Sequence, residues 1–365
     1  MQNILCFSHL HWNFVYQRPQ HLLSRFARQY HVYYFQEPNP GPDAYHITKQ
    51  DGISIVSLSI DDQDHDRNGR LKKIIDQFIK DHDIQEFICW YYTPMALEYT
   101  AHLEPQVTVY DSMDELSAFR FAPPQLLPLE NELFKKADVV FTGGHTLYQA
   151  KKDRHHNIYP FPSSIDKEHF QAARYNKTER EDQKAIPHPR FGFYGVIDER
   201  FDIELLREVS QRKPDWHFVI IGPVVKINPD DLPRAENIHY LGPKKYDELP
   251  EYISHWDIAL VMFALNESTE FISPTKTPEY LAAGLPVIST PIKDVVKPYG
   301  EENLVYIAGD SDTFILYGEE ELTKKSKKEW LLKVDEFLAD DSWDNTFEKM
   351  NVLINNVKKS SGIYV

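Results

Sequence analysis

The sequence predicts an α/β protein with two domains, each built around a parallel β-sheet. Short apolar runs alternate with amphipathic segments of helical periodicity along most of the chain. The alternation stops once, in a charged segment that ends in two prolines, and then starts again. The 365 residues also exceed what one hydrophobic core usually organises. Because parallel strands need crossover connections, which helices supply, this pattern predicts two sheets that are covered by helices on both faces.

The first domain is predicted to occupy residues 1–175. Its first strand, Ile4–Phe7, is followed by a helix-like segment in which Leu22, Leu23 and Phe26 share one face. Five further apolar runs have the composition of strands, and these are HVYYF, ISIVSLSI, FICWYY, VTVYD and ADVVFTG. The segment LKKIIDQFIKDH, between the second and third of these runs, predicts another helix.

The second domain is predicted to occupy residues 190–340, after a linker at 176–189 that is charged and ends in two prolines. Strand-like runs resume there as RFGFYGV, WHFVIIGPV, NIHYLG, IALVMF and PVIST. Residues 341–365 predict a closing helix that packs back on the first domain, because apolar side chains recur in it at helical spacing. These side chains are Trp343, Phe347, Met350 and Leu353.

The composition indicates a soluble protein of the cytoplasm, with the inner face of the membrane as an alternative setting. The formal net charge of −16 opposes binding to nucleic acid. No apolar run is long enough to span a bilayer, and we expect no secretory signal, because the N-terminus lacks a basic segment followed by a long apolar one. Cys6 and Cys89 each lie in an apolar run, so we expect buried thiols in a reducing compartment.

Two concentrations of basic residues stand against the acidic net charge. One lies on the first predicted helix, and the other is KKDRHH at 151–156. We interpret both as solvated faces, and the alternative is contact with an anionic acceptor or a membrane surface. The first cluster consists of Arg18, His21, Arg25 and Arg28.

The segment 266–290 predicts a polar loop, a helix that begins near Pro278, a glycine-proline break and a strand. Free N–H groups at the helix start, the helix dipole and the Lys276 ammonium would attract a diphosphate. Glu279 could accept two hydrogen bonds from a ribose. The alternative is an ordinary capped helix whose first-turn glutamate only favours the dipole. The hydroxyl side chains that can cap this helix are Ser273, Thr275 and Thr277.

The run FISPTKTPEYLAAGLPVIST resembles the donor-binding segment of glycosyltransferase family 4 and its GT-B relatives, where a Glu-x7-Glu pattern precedes Ala-Gly-x-Pro-Val. The resemblance implies that Glu279 binds ribose and that the backbone amides of Thr275 and Lys276 bind the diphosphate. The first glutamate of the pattern would fall on Phe271, and Glu267, which lies just upstream, is the catalytic candidate. Glu270, which also lies upstream, is the alternative sugar-contacting carboxylate.

Two more stretches match the donor domain of these relatives. FGFYGVIDERFDIELL resembles its first strand and loop, which in relatives supplies a basic residue to the diphosphate, so Arg200 is the candidate here. IGPVVKI corresponds to the next strand and loop, where Lys226 could reach a phosphate. The donor-binding residues expected from the resemblance are Ser273, Pro274, Thr275, Lys276, Glu279, Gly195 and Lys226.

The stretch 137–170 resembles the end of the first domain of a GT-B protein. Taken together, these matches imply a GT-B fold, in which two Rossmann-like domains face an interdomain cleft. The donor would lie on the second domain and the acceptor on the first.

Loops that follow strands of the first domain supply the candidate acceptor contacts, because ligands of open α/β sheets lie at the carboxyl ends of strands. Asp114 could orient the sugar or act as a general base, and Asp111 could contact the acceptor. The alternative for both carboxylates is helix capping. Further acceptor candidates are His9, His11, Trp12 and His145.

The predicted function is transfer of a sugar from a UDP- or GDP-sugar to a saccharide or lipid-linked acceptor in cell-surface glycan synthesis. The resemblance, which is closest to bacterial polysaccharide or teichuronic-acid type transferases, implies retention of anomeric configuration, and inversion stays open if Asp114 is a base. No cofactor or metal is expected, since the sequence has no phosphate-binding glycine motif and no Asp-x-Asp pair in an apolar setting. The catalytic candidates are Asp114, Lys276, Arg200 and Glu267.

Two other functions fit the same residues. A sugar-nucleotide epimerase on this fold would also bind a nucleoside diphosphate, and a non-catalytic subunit would bind a nucleotide sugar or a partner transferase without turnover. Phe271, in place of the expected glutamate, is compatible with the latter.

Overall fold

The computed structural model describes residues 1–61 and 66–361, so the last four residues of the predicted closing segment lie outside the described part. The chain divides into two compact units. Unit 1 combines Met1–Pro162 with the C-terminal segment from Trp343 onward, and unit 2 is Ser163–Ser342.

Unit 1 is built on a sheet that has nine strands within the described residues, in the order β3-β5-β2-β1-β6-β7-β8-β9, with β4 paired to β5. Every pairing is parallel except that of β4 with β5. The strands are β1 (Gln2–Phe7), β2 (Tyr30–Phe35), β3 (Asn39–Pro40), β4 (Ala44–Gln50), β5 (Ile53–Ile60), β6 (Phe87–Tyr91), β7 (Val107–Ser112), β8 (Val139–Thr142) and β9 (Ile158–Pro160).

Helices cover both faces of the central part of this sheet, which is why strands such as β6 and β8 are nearly continuous apolar runs. Along β1, Ile4 and Cys6 belong to one core cluster and Leu5 and Phe7 to the other. Cys6 and Cys89 are buried free thiols, as predicted. The helices of unit 1 are α1 (Arg18–Phe26), α2 (Arg67–Asp81), α3 (Leu97–Thr100), α4 (Leu126–Lys136), α5 (His145–Lys151) and α14 (Trp343–Ser361).

Unit 2 is built on a sheet that has six parallel strands within the described residues, in the order β12-β11-β10-β13-β14-β15. The strands are β10 (Arg190–Tyr194), β11 (His217–Ile221), β12 (Ile238–Gly242), β13 (Ile258–Val261), β14 (Val287–Ser289) and β15 (Tyr306–Ile307). The helices are α6 (Lys167–Gln171), α7 (Glu181–Lys184), α8 (Ile203–Arg212), α9 (Leu249–Ile253), α10 (Lys276–Ala282), α11 (Lys293–Val295), α12 (Ser311–Thr323) and α13 (Lys328–Phe337). The strand order reverses between β10 and β13, which is the position where doubly wound sheets bind ligands.

The boundary between the units lies at 162/163 rather than at the predicted 175, and the predicted linker 176–189 is part of unit 2. Gln183 is buried in this segment, where its amide donates to Tyr252 O at 3.0 Å and accepts from Trp256 Nε1 at 2.8 Å. Ile186 is buried in the core of the same unit. Although its composition is charged, this segment is anchored in unit 2 by the Gln183 amide and the Ile186 side chain.

The basic residues of α1 do not form a solvated face, which corrects the prediction for this cluster. Arg18, His21 and Arg25 are buried. Arg25 and Arg28 both pair with Asp344 of α14, at 3.1 Å and 2.7 Å. These residues therefore attach the C-terminal helix to unit 1 instead of facing an anionic surface.

The KKDRHH segment is also partly structural, because Lys151 is buried and its ammonium lies 2.8 Å from Glu115 Oε2 and is also bonded to Glu130. Arg154 pairs with Glu130 as well, at 2.7 Å. Among the helices that the structure describes, none has the length and apolar character that a bilayer crossing needs.

Candidate functional site

The candidate site of unit 2 lies at the point where its strand order reverses. Phe193 is on β10, and Phe263 follows β13, the strand on the other side of the reversal. The Lys276 ammonium lies over both rings, 5.5 Å from the centroid of Phe193 and 5.4 Å from that of Phe263. The sheet therefore holds a cation at the carboxyl ends of its two central strands.

Gly195 provides the space that this lysine occupies. A Cβ at position 195 would lie 2.3 Å from Lys276 Cε and 2.7 Å from Nζ. The backbone φ of Gly195 is +142°, a conformation that residues other than glycine rarely adopt. Gly222 approaches from the next strand, since a Cβ there would lie 1.8 Å from Gly195 O. Gly195 therefore lies against the side chain of Lys276, and both residues were predicted to bind the donor.

Glu279 is buried on α10, with 3% of its surface exposed. The Tyr194 hydroxyl, at the end of β10, donates a hydrogen bond to Glu279 Oε2. Within the described part of the chain, Oε1 of the same carboxylate makes no hydrogen bond. Burial raises the pKa of Glu279, while the Tyr194 hydrogen bond and the charge of Lys276 oppose this rise and the charge of Asp166 adds to it. One oxygen of this carboxyl is thus held in place, and the other is left for a ligand.

Lys276 and Glu279 influence each other through their charges. Burial lowers the pKa of Lys276, the carboxylate of Glu279 opposes this effect, and the positive charge of Arg200 adds to it. A bound diphosphate would supply the negative charge that this ammonium lacks. The arrangement therefore fits an anionic ligand that also carries hydroxyl groups for Glu279.

Arg200 lies in the loop after β10, where Asp198 holds its guanidinium. Arg200 Nη2 donates to Asp198 Oδ2 at 2.7 Å, and Nε lies 3.0 Å from Oδ1 and 3.1 Å from Oδ2. Asp198 is buried, and it also accepts from the Arg200 backbone N–H at 3.0 Å. Hydrogen bonds from both Nε and Nη2 to one carboxylate fix the direction of the planar guanidinium. Asp198, which orients Arg200, was not among the residues predicted from the sequence. The positive charge of Arg200 lies close enough to Lys276 to lower the pKa of that lysine.

Lys226 lies in the loop after β11 and is exposed, with a positive φ of +62°. Its ammonium is 3.9 Å from Glu199 Oε1. Ile197 and Val224 form a parallel bridge, so this loop and the Arg200 loop are held together. The loop that carries Lys226, a predicted phosphate contact, is therefore joined through its backbone to the Arg200 loop. The Lys226 ammonium also lies near the Glu199 carboxylate.

The segment before α10 is fixed at Ser273, whose carbonyl accepts a hydrogen bond from Ser163 Oγ at 2.7 Å. The helix begins at Lys276 and is seven residues long, and no side-chain hydrogen bond caps it. The predicted hydroxyl cap is wrong, because Thr275 already has helical backbone angles instead of the extended angles of a capping residue. The backbone N–H groups of Thr275 and Lys276 make no backbone hydrogen bond in the described part of the chain. Pro274 is buried next to these two groups.

Glu267 is not brought to this cluster. It is exposed in a turn closed by the Asn266 and Thr269 side chains. No hydrogen bond or ion pair joins it to Lys276 or Glu279 within the described residues. Glu270, the upstream alternative, pairs with Lys293 at 2.6 Å. In the part of the chain that it describes, the structure thus gives neither carboxylate a link to Lys276 or Glu279, and a sugar contact by Glu267 or Glu270 stays a prediction.

In unit 1 the loops that carry Asp114 and His145 are in contact. Gly143 N donates to Ser112 O at 2.9 Å, and a Cβ at Gly143 would lie 2.1 Å from Met113 O. Asp114 is half-buried directly after Met113, and His145 is exposed as the first residue of α5. Both side chains therefore follow neighbouring strands at the same edge of the sheet and stay acceptor-side candidates.

Asp111 is not an acceptor contact, because it is fully buried and both carboxylate oxygens are bound by Arg18. Arg18 Nη2 lies 2.8 Å from Asp111 Oδ1, and Nη1 donates to Phe161 O at 2.7 Å. Burial raises the pKa of Asp111, and the Arg18 charge opposes that rise. This ion pair joins α1 to β7 as a structural element.

Trp12 is also a core residue rather than an acceptor contact. It is 3% exposed and packs edge-on against Tyr34 at 4.9 Å. His9 is half-buried and His11 is exposed in the same loop after β1. All three residues follow the end of β1, and the two histidines stay acceptor-side candidates whereas the buried tryptophan does not.

Comparison with known proteins identifies the unit that carries the donor candidates. The family model described as glycosyl transferases group 1 matches residues 189–317. This range includes Gly195, Arg200, Lys226, Lys276 and Glu279. The match to the group 1 glycosyl transferases lies entirely within unit 2.

A Bacillus subtilis (strain 168) protein, whose name assigns it to teichuronic acid biosynthesis as a glycosyltransferase (TuaH), is 32% identical over 125 residues. That alignment covers 33% of this chain and 31% of the relative, so the likeness spans less than a third of the relative's length.

Solved structures match nearly the whole chain, outside as well as inside residues 189–317. An E. coli trehalose-6-phosphate protein bound with UDP-2-fluoro glucose matches with a TM-score of 0.71 at 11% identity, over 98% of this chain and 99% of the other. Anabaena HepE in complex with UDP and glucose matches with a TM-score of 0.69 at 12% identity, over 97% of this chain and 100% of the other. The fold is that of the GT-B glycosyltransferases, and the prediction of two parallel-sheet α/β units is confirmed.

Proposed function

We propose that this chain is a glycosyltransferase that moves a sugar from a nucleoside-diphosphate sugar to a saccharide or lipid-linked acceptor. The observation that carries the proposal is the buried Glu279 carboxylate, with one oxygen unbonded within the described residues, next to the Lys276 ammonium at the strand-order reversal. In this function Glu279 accepts from the ribose hydroxyls, and Lys276 and Arg200 oppose the charge that develops on the leaving diphosphate.

The relatives support a UDP-sugar as the first donor to examine. UDP and glucose are bound in Anabaena HepE, and UDP-2-fluoro glucose in the E. coli structure. The name of the Bacillus relative supports a cell-surface glycan as the product. The same proposal includes GDP-sugars as alternative donors and retention of anomeric configuration. It also places the protein in the cytoplasm, at the inner face of the membrane if the acceptor is lipid-linked.

Asp114 is the proposed acceptor-side catalytic residue, with His9, His11 and His145 as proposed acceptor contacts. Asp114 and His145 lie on adjoining loops that Gly143 holds together. A carboxylate and an imidazole at one sheet edge can orient an acceptor hydroxyl, and proton uptake by Asp114 would make the transfer inverting instead of retaining.

The test is incubation of the protein with a panel of UDP- and GDP-sugars and with saccharide or lipid-linked acceptors, followed by mass spectrometry. A sugar-bearing acceptor that is absent with the Lys276→Met variant supports the proposal. An isomerised nucleotide sugar would identify an epimerase instead. Binding of the nucleotide without turnover would favour a non-catalytic subunit, for which Phe271 at the position of a family carboxylate is the specific observation.

A further inference from the structure

Tyr194 and Glu279 come from elements far apart in sequence. Tyr194 ends β10, and its hydroxyl donates to Oε2 of Glu279, which lies 85 residues later on α10. Tyr194 is 7% exposed and Glu279 is 3% exposed, so water does not compete freely for this contact. Such a hydrogen bond to a buried carboxylate is strong and directional.

The ring of Tyr194 is itself held in place. Its backbone N–H donates to the Tyr280 hydroxyl at 3.0 Å, and the two rings meet edge-on at 5.0 Å. Trp256 packs near the same ring, with centroids 6.4 Å apart. Phenylalanine at position 194 would keep these ring contacts and lose only the hydroxyl, so Tyr194→Phe isolates the hydrogen bond.

We propose that Tyr194 is a positioning residue for the donor nucleotide, whose hydroxyl holds Glu279 Oε2 so that the ionised carboxylate presents Oε1 to the ribose. The inference rests on the proposed function, because it takes Glu279 as the ribose-binding carboxylate. In this inference Tyr194 does not contact the nucleotide itself. It acts through Glu279, whose orientation and protonation state it sets.

The charges around Glu279 support this role. Lys276 on the same helix favours the carboxylate, and Asp166, which precedes α6, disfavours it. Arg200 and Asp198 act on Lys276 in opposite directions. Burial raises the pKa of Glu279, and the Tyr194 hydrogen bond opposes that rise, so removal of the hydroxyl leaves the carboxylate protonated up to a higher pH. Burial raises the pKa of Tyr194 and of Tyr280 well above the usual range, so neither phenol titrates near neutral pH.

The experiment is calorimetric titration of UDP and of GDP into the wild-type protein and the Tyr194→Phe variant between pH 6 and pH 9. Each unit by which the pKa of Glu279 rises costs about tenfold in affinity below that pKa. We expect the variant to bind about tenfold more weakly at pH 6, with the difference shrinking as the pH rises. Titration of Lys276 is common to both proteins and affects their affinity ratio much less than each affinity.

Two control variants separate positioning from packing. In a Glu279→Gln background, Tyr194→Phe should no longer change the pH dependence, because the carboxyl group that it acts on is absent. Tyr252 is a matched control, since it is a buried tyrosine of the same unit whose hydroxyl bonds Asp182 at 2.9 Å. Tyr252→Phe should leave the pH dependence of nucleotide binding unchanged.

Each outcome decides one of the two statements. A pH-independent affinity ratio, or equal affinities, would overturn the positioning role of Tyr194 while nucleotide binding and sugar transfer would still support the proposed function. Failure of the wild-type protein to bind either nucleotide would overturn the proposed function, and the inference falls with it.

Discussion

Replacement of Glu279 by glutamine should change ligand binding and stability in opposite directions. The buried carboxylate has one oxygen bonded by Tyr194 and the other unbonded within the described residues. A glutamine keeps the shape and can still accept from the Tyr194 hydroxyl, but it loses the negative charge that the ribose hydroxyls would meet. Hydrogen bonds to a charged group contribute about 1.5–3 kcal/mol, so UDP or GDP should bind about tenfold more weakly or worse.

The stability change follows from the raised pKa of this carboxyl, which is about 8 compared with 4.5 for an unperturbed glutamate. A pKa that is higher in the folded state destabilises folding as the pH rises from the unfolded value to the folded one. Each unit corresponds to about 1.4 kcal/mol, which gives roughly 3 kcal/mol at pH 7. Lys276 loses a favourable charge in the variant, so we expect a net gain of about 1–3 kcal/mol.

Calorimetry tests both parts of this prediction. For a unit of this size, a gain of 1 kcal/mol raises the melting temperature by about 2–4 °C. The increase should be present at pH 7 and should disappear as the pH falls below the unfolded-state pKa of 4.5, where the carboxyl is protonated in both states. Glu329→Gln, which changes an exposed carboxylate of the same unit, should alter neither property. Full-strength nucleotide binding by the Glu279 variant would refute the ribose assignment, and a lower melting temperature at pH 7 would refute the burial argument.

Four further substitutions test the remaining parts of the site. Gly195→Ala places a Cβ against Lys276 at a φ of +142° and should cost about 1–3 kcal/mol in melting experiments and weaken nucleotide binding, whereas Gly309→Ala, with open space around the new methyl, should do neither. Lys276→Met should lower the transfer rate by about 10²–10³-fold in initial-rate assays, and an unchanged rate would mean that the ammonium does not meet the leaving diphosphate. Asp114→Asn should leave calorimetric nucleotide affinity near the wild-type value and slow transfer by about 10²-fold or more, and normal transfer would remove Asp114 from the reaction. Asp111→Ala leaves a buried guanidinium without its counter-ion and should destabilise unit 1 by about 3–5 kcal/mol in urea unfolding, a loss that an acceptor contact would not produce.

The fold could be predicted because buried parallel strands leave a local signal. The central strands are covered on both sides, so runs such as Leu5–Phe7 and Ile258–Val261 are apolar without alternation. The unit boundary could not be predicted, because Gln183 and Ile186 lie in a charged segment and become part of unit 2 only through contacts made far along the chain.

The donor residues were predicted through the resemblance of one continuous segment, and their supports were missed because they are distant in sequence. Tyr194 reaches Glu279 across 85 residues, and a tyrosine at a strand end has many uses. Asp198 left a faint signal, since an acid two residues before a basic candidate can hold it within one turn. Nothing in the local pattern distinguishes buried Asp111 from half-buried Asp114, because the difference depends on Arg18, which is 93 residues away.

The attachment of α14 to unit 1 has a consequence for biosynthesis. Phe26 of α1 packs edge-on against Phe347 of α14 at 4.8 Å, and Trp343 stacks on His21 at 4.8 Å. A ribosome delivers these two partners only after the whole of unit 2 has been translated. Until then, the apolar surface of α1 that α14 covers stays exposed in the nascent chain. A fragment that ends at residue 162 should therefore aggregate unless the last helix is supplied as a separate peptide.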